Sequence, residues 1–172
     1  MEWVNGRAMQ KVSPRRKHGL AQMRFATALD RWATRRRLGR VATEWDYRIQ
    51  PPGEVRRPLV PDVAFLSFAK VPEADDKAAD IPRVAPDAVV EVLSPGDRAK
   101  DVNEKIRVYL ASGTSVIFLV DTKRQEVIAR DPETSMTFKR ADTVRHESLP
   151  GFAMPAGELF SESRPKEDSR KK

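Results

Sequence analysis

The stretch AVVEVL, residues 88–93, most constrains what this chain can fold into. Its run of aliphatic residues is typical of a strand that is covered on both faces of a sheet. Glu91 stands inside that run, and a buried carboxylate without a partner is costly. The stretch therefore predicts both a covered central sheet and a specific partner for Glu91.

Turn and cap signals divide the rest of the chain into short elements. Asn5-Gly6 predicts a hairpin turn, Gly39 and Gly113 predict helix ends, and Asp97 predicts an N-cap. The predicted elements are strands at about 2–4 and 7–11, a helix opened by Ser13-Pro14 and running to about Leu38, strands at 41–49, 60–68 and 87–93, a helix from about Arg98 to Ser112, a strand at 115–121, and a hairpin formed by EVIAR and MTFKR.

This order of helices and strands predicts the fold class. It indicates an α/β or α+β fold with a central mixed β-sheet flanked by helices, preceded by an N-terminal β-hairpin. A chain of 172 residues is large enough for one core, so we expect a single domain over residues 1–160. The last residues, 161–172, have the composition of a disordered basic tail.

Composition excludes several classes of protein. There is no cysteine and there are only two histidines, which rules out disulfides, a zinc finger and a cysteine nucleophile. No apolar run approaches the length of a membrane span, and the first 20 residues lack the apolar core of a signal peptide. We therefore expect a cytoplasmic protein without membrane contact.

The positive charge is concentrated at the start of the chain. Residues 1–40 contain eleven Lys or Arg and two acids, whereas the remainder is close to neutral. Four of these basic residues lie on one line of the first helix, about 27 Å long: Lys17, Arg24, Arg31 and Arg35. The line is a candidate surface for the nucleic-acid backbone, and a solvated helix face is the alternative.

Two predicted strands each carry one acid among apolar residues. Asp62 shares a face with Ala64 and Leu66, and Glu91 shares a face with Val89. Two carboxylates that converge from neighbouring strands make a hard-oxygen site suited to Mg²⁺ or Mn²⁺. The alternatives are a turn aspartate at position 62 and a structural salt bridge at position 91.

Lys105 is the third candidate site residue. It borders the apolar stripe of the second helix, next to Tyr109, from where its ammonium can reach the strand of Glu91. An ammonium beside two carboxylates and a metal ion can orient water and stabilise charge on a phosphate. The alternative is a boundary lysine that extends its charge to solvent.

The motifs VPDVAF and PDAVVEVLSPGDRAKDVNEKIRVYLASGTSVIFLVD resemble those of the Uma-two family of putative restriction endonucleases, in the PD-(D/E)XK nuclease superfamily. EWVNGRAM, the stretch through His18, and SLPGFAMPAGELF are also similar, so that the likeness covers about residues 1–160. The resemblance implies the restriction-endonuclease-like fold, with the site at the splayed edge of the sheet.

The resemblance also implies a metal-dependent endonuclease acting on nucleic acid, with DNA as the expected substrate. Asp62, Glu91 and the backbone carbonyl of Val92 would hold Mg²⁺ or Mn²⁺, and Lys105 would position the attacking water. The chain departs from the standard motif because Leu93 stands where that motif has its lysine. Fold relatives imply a homodimer.

Two matters stay open at the level of the sequence. Glu2 and His18 match family positions, but the sequence assigns them no role. A catalytically silent nucleic-acid-binding or regulatory domain, which keeps the fold and its acids for stability, is the alternative to an active nuclease. Dependence on a divalent cation separates the two.

Overall fold

The computed structural model describes residues 1–9 and 15–161. Its elements in chain order are β1 Glu2–Val4, β2 Arg7–Met9, α1 Arg16–Arg36, β3 Gly39–Thr43, β4 Tyr47–Ile49, β5 Arg57–Leu59, β6 Val63–Ser67, α2 Asp76–Asp80, β7 Ala88–Leu93, α3 Ala99–Ala111, β8 Val116–Asp121, β9 Glu126–Arg130, β10 Ser135–Lys139, β11 Thr143–Val144, β12 Met154–Pro155 and a 3₁₀ helix Ala156–Leu159.

A six-stranded mixed sheet forms the centre of the fold, in the order β10-β9-β8-β7-β6-β3. β7 and β8 are parallel, with α3 as the crossover between them, and the other neighbours are antiparallel. Three two-stranded sheets, β1-β2, β4-β5 and β11-β12, surround it. The predicted mixed sheet flanked by helices, with an N-terminal hairpin, is confirmed.

The sheet is covered on both faces, each by its own apolar core. On one face, Phe25 and Leu29 of α1 pack in a cluster with Val63 and Val90. On the other face, Tyr109 and Ile106 of α3 belong to a second cluster. Burial on both faces explains why β7 and β8 read as nearly continuous aliphatic runs.

Strand alternation decides which face each candidate residue points to. Val90 and Val92 lie in the core beneath α1, whereas Val89 lies in the core beneath α3. Glu91 therefore projects to the α3 side of the sheet, because side chains alternate along a strand. This is the face that the sequence predicts for Glu91 and Val89 together.

The end of α1 differs from the prediction. The helix stops at Arg36 and is capped by Arg37 in the left-handed conformation, with φ of 51°, rather than by Gly39. Gly39 instead opens β3, where a Cβ atom would lie 2.2 Å from the backbone oxygen of Leu66. The glycine is required for the close approach of two strands and not for the helix stop.

The predicted strand over 41–49 is two strands in two different sheets. Glu44 has a φ of 51°, which interrupts the extended backbone after β3. β3 pairs with β6, while β4 pairs with β5, a strand between residues 49 and 60 where the sequence predicts no element. The helix α2 likewise lies between residues 68 and 87, where the sequence predicts no element.

Local turn signals are confirmed in part. Asn5 and Gly6 both have positive φ, of 50° and 72°, as the predicted hairpin turn requires. Gly113 follows α3 with a φ of 98°. The predicted N-cap Asp97 is wrong: Arg98 occupies that position, and the Asp97 carboxylate accepts the Ser94 N–H at 2.7 Å.

Some predictions concern residues outside the described ranges. The Ser13-Pro14 helix start, the end of the second hairpin strand at 10–11, and the predicted tail beyond Ser161 all lie there. Among the described residues, no helix combines the length and the apolar character that a membrane span needs.

Candidate nuclease site

The register of β6 and β7 brings the two predicted acids together. Val63 lies opposite Val90, so the next antiparallel step places Asp62 beside Glu91. Asp62 is 3% exposed, and its Oδ2 accepts the N–H of Val92 at 2.6 Å. The carboxylate is thus fixed against the carboxyl-terminal end of β7, one residue from Glu91.

Lys105 meets Glu91 from α3. Its Nζ lies 2.7 Å from Glu91 Oε2, and the lysine side chain is 12% exposed. Tyr109, one helical turn later, places its Oη 3.5 Å from the other oxygen, Oε1. The structure therefore brings together Asp62, Glu91 and Lys105, the three residues that the sequence singles out.

Electrostatics keep Lys105 charged. Burial alone would lower the pKa of Lys105, but the nearby carboxylates of Glu91 and Glu2 raise it above its ordinary value. Burial, followed by the Glu91 charge, raises the pKa of Tyr109 as well. At neutral pH, Lys105 is therefore a hydrogen-bond donor and a positive charge, not a base.

Glu2 is a fourth member of the site, to which the sequence assigned no role. Its Oε1 lies 2.9 Å from Lys105 Nζ and accepts the N–H of Val60 at 3.0 Å. The available signal is the hairpin alternation, since Glu2 shares the inward face of β1 with Val4. That signal gives burial but not the partner, which is far away in the chain.

The first turns of α1 border the site at Asp62. His18 Nε2 lies 3.4 Å from Asp62 Oδ1, and His18 Nδ1 lies 3.2 Å from Ser94 Oγ. Gln22 donates to the backbone carbonyl of Asp62 at 2.9 Å and to Glu44 Oε1 at 2.8 Å. The sequence assigns His18 no role, and the structure places it at the candidate site.

The predicted basic line on α1 divides into two kinds of residue. Lys17, Arg31 and Arg35 are exposed. Arg24 is half-buried and donates to the backbone carbonyls of Glu158 and Ser161. Three of the four side chains thus face solvent, whereas Arg24 ties α1 to the segment that follows β12.

The family described as Uma2, putative restriction endonuclease, matches residues 1–157. The chain belongs to this family. A crystal structure titled a putative nuclease belonging to DUF820, from Anabaena variabilis, superimposes with a TM-score of 0.80 at 24% identity, over 92% of this chain and 88% of that one. This likeness shows that the fold is shared. No curated protein matches the chain.

Families with the restriction-endonuclease-like fold typically use a divalent metal ion, and the oxygen donors at the candidate site suit one. The carboxylates of Asp62 and Glu91 are hard-oxygen ligands. In an extended strand, the N–H and C=O of one residue point to the same edge. The Val92 carbonyl therefore lies on the edge of β7 where its N–H binds Asp62.

This donor set is small. Within residues 1–9 and 15–161, no group of three or more His, Asp or Glu side chains is arranged to hold a metal ion. Two carboxylates and one carbonyl would leave the remaining positions to water, which is the usual coordination of Mg²⁺ in proteins. The residues present therefore fit a magnesium-type site and not an all-protein cage.

Proposed function

We propose that this protein is a metal-dependent endonuclease that hydrolyses phosphodiester bonds of nucleic acid, with DNA as the expected substrate. One observation carries the proposal: the pairing of β6 with β7 places Asp62 beside Glu91, the Asp62 carboxylate binds the Val92 N–H, and the Lys105 ammonium contacts Glu91. Membership of the Uma2 family, whose description is putative restriction endonuclease, supports the same reaction.

Asp62, Glu91 and the Val92 carbonyl would hold Mg²⁺ or Mn²⁺. A bound divalent ion supplies Lewis-acid chemistry, since it lowers the pKa of a water and polarises the phosphate. The Val92 N–H fixes the orientation of the Asp62 carboxylate, and Lys105 restrains Glu91. The protein's contribution is thus a rigid pair of acids, which is what a metal-assisted reaction requires.

Lys105 acts as a cationic donor in this proposal. Its raised pKa keeps the ammonium protonated, so it positions the attacking water and stabilises negative charge that develops on the phosphate. It replaces the strand lysine of the standard motif, whose position is Leu93 here. The exposed Lys17, Arg31 and Arg35 would contact the nucleic-acid backbone without reading its sequence.

Cleavage assays with isosteric variants test the proposal. Supercoiled plasmid and labelled single-stranded DNA and RNA are incubated with Mg²⁺, Mn²⁺ or EDTA. Asp62→Asn and Glu91→Gln keep the shape and one acceptor oxygen of each side chain but remove the charge that a metal ion requires. Asp30→Asn, at an exposed acid on the same α1 helix that borders the site, is the control.

We expect wild type and Asp30→Asn to cleave only with a divalent ion, and both site variants to lose activity while remaining folded by circular dichroism. Cleavage in EDTA, or undiminished cleavage by Asp62→Asn, would contradict the proposed site. Cleavage that survives Lys105→Ala would keep the nuclease but assign the third role to another residue.

A catalytically silent nucleic-acid-binding domain is the second candidate. The favouring observation is that Glu91 and Glu2 already share an ammonium, which compensates buried carboxylate charge without a metal ion. This function predicts salt-sensitive binding in EDTA and no cleavage of any of the three substrates. The same assay, with a binding measurement added, separates the two candidates.

A further inference from the structure

Glu2 is a buried carboxylate on the first strand of the N-terminal hairpin. It is 5% exposed, and strand alternation turns it inward while Trp3 beside it faces solvent. A carboxylate in such a place requires hydrogen-bond donors. Glu2 accepts hydrogen bonds from two donors, the Val60 N–H and the Lys105 ammonium. Both donors belong to segments that build the candidate site.

The hairpin is also fastened to α3 one turn before Lys105. Asn5 Nδ2 donates to Asp101 Oδ1 at 2.7 Å, and Arg7 Nη2 donates to Asp101 Oδ2 at 2.5 Å. The pKa of Asp101 is lowered mostly by the hydrogen bond from Asn5. The charge and the hydrogen bond of Arg7 lower it further. Because residues 101 and 105 lie on one face of the helix, the hairpin contacts α3 at both levels.

The Lys105 ammonium therefore lies between two carboxylates, 2.9 Å from Glu2 and 2.7 Å from Glu91. An ammonium has three N–H donors, so this arrangement divides its hydrogen bonds instead of directing them all to Glu91. Without the Glu2 charge, Glu91 alone of these two carboxylates would compensate the buried ammonium. A metal ion would then compete with a stronger ion pair for the same carboxylate.

We infer that Glu2 is a positioning residue for the nuclease site. It shares the charge of the Lys105 ammonium with Glu91, so that a metal ion can compete for Glu91 and Lys105 can face the phosphate. The inference rests on the proposed function and assigns a role within it to the hairpin β1-β2.

Two variants of Glu2 separate charge from shape. Glu2→Gln keeps the size of the side chain and an acceptor for the Val60 N–H but removes the charge. Glu2→Asp keeps the charge on a side chain that is one methylene shorter. Glu126→Gln is the matched control, because Glu126 is also 5% exposed and pairs with a lysine, Lys139, on the neighbouring strand β10.

The readouts are Mn²⁺ affinity by isothermal titration calorimetry without nucleic acid, and the kcat and KM of cleavage. We expect Glu2→Gln to bind Mn²⁺ more weakly and to lose ~10- to 100-fold in kcat with little change in KM, as for a misplaced catalytic group. Glu2→Asp is expected to lie closer to wild type in both, and Glu126→Gln to match wild type.

The inference would be overturned if Glu2→Gln kept the Mn²⁺ affinity and kcat of the wild type. It would also be overturned if Glu2→Gln lay closer to the wild type in these two quantities than Glu2→Asp does. Either result would leave the proposed function intact. A wild-type protein that neither binds Mn²⁺ nor cleaves would overturn both. Circular dichroism and thermal unfolding of each variant confirm that the comparison is made between folded proteins.

Discussion

Lys105 shows how one side chain can serve two buried acids. Its ammonium is shared by Glu2 and Glu91, and all three side chains are largely shielded from water. In such a setting, removing one partner is costly because a charge is left behind in a poorly solvated place. Stability and chemistry therefore depend on the same contact.

Replacement of Lys105 by methionine is expected to destabilise the metal-free protein by about 3 kcal/mol, because Glu2 loses the cation that compensates its burial. Urea unfolding in EDTA measures the change. Lys139→Met is the control, since Lys139 is 69% exposed and its ion pair with Glu126 is expected to contribute at most about 1 kcal/mol. Equal effects of the two substitutions would contradict the prediction.

The sequence indicates which acids and which lysine meet, but not the whole site. Asp62 and Glu91 are found because each interrupts an apolar strand, and Lys105 because it borders an apolar helix stripe. Glu2 and His18 are not found in this way, because their partners lie in segments distant along the chain. No local sequence pattern specifies such a contact. The family resemblance points to their positions without giving the contacts.

At the scale of elements, α1 carries most of the constraints. One flank of its first turns borders the site through His18 and Gln22, its apolar stripe covers the sheet, and its end leads directly into β3. Two glycines mark this helix and its exit, and they differ in what surrounds them. Their substitution separates helix propensity from strand packing.

Gly19→Ala is expected to stabilise the protein by about 0.5–1 kcal/mol, because an added Cβ meets no atom within 4 Å and alanine favours a helix interior. Gly39→Ala is expected to destabilise it by about 2 kcal/mol or more, because the Cβ would overlap the Leu66 backbone oxygen. Chemical denaturation of both variants measures the change in the free energy of unfolding. Changes of the same sign in the two variants would contradict the prediction.

The exposed basic residues of α1 lead to a prediction about salt. If Arg31 and Arg35 contact phosphates, replacing either with alanine is expected to lower the slope of log affinity against log salt by about one. Arg24→Ala is the matched comparison, since Arg24 binds backbone carbonyls and is expected to affect stability, not the slope. Fluorescence anisotropy of labelled DNA in EDTA measures both. If the slope is unchanged in all variants, the basic line is a solvated helix face and not a nucleic-acid contact.

Element boundaries were the least predictable part of the fold. The alternation over 41–49 continues through residue 44, and nothing in it indicates the positive φ of Glu44 that sends β4 to another sheet. Pro58 lies within β5, in a segment whose prolines and glycine favour turns. Strand pairing overrode local preference at both places.

At the scale of the whole molecule, the order of elements was enough to predict the fold class. The parallel pair β7-β8 follows from the crossover helix α3, and the antiparallel pairs β8-β9 and β9-β10 follow from short hairpin connections. The two apolar cores follow from strands that are hydrophobic on both faces. Of the surrounding two-stranded sheets, β1-β2 followed from its Asn5-Gly6 turn, whereas β4-β5 and β11-β12 did not, because strands of two or three residues carry too little pattern of their own.

Stability is expected to fall in acid, partly through Asp131. Hydrogen bonds from Thr134 first, then from the Glu133 N–H and His146, hold the pKa of Asp131 well below its ordinary value. This stabilisation is present above the pKa of the unfolded chain, about 3.9, and is lost as the pH falls below it. Between about pH 5 and 3, the midpoint temperature of thermal unfolding is expected to fall less steeply with pH in Asp131→Asn than in wild type. An equally steep fall would contradict the assignment.

The contact between Glu2 and Lys105 also bears on the stage of synthesis at which the proposed site can form. Glu2 is synthesised well before Lys105, whose helix α3 follows only three of the six strands of the central sheet, β3, β6 and β7. β8, which closes the parallel pair, follows α3. Contacts between such distant segments form late in folding. A nascent chain therefore carries the hairpin long before it can assemble the proposed site.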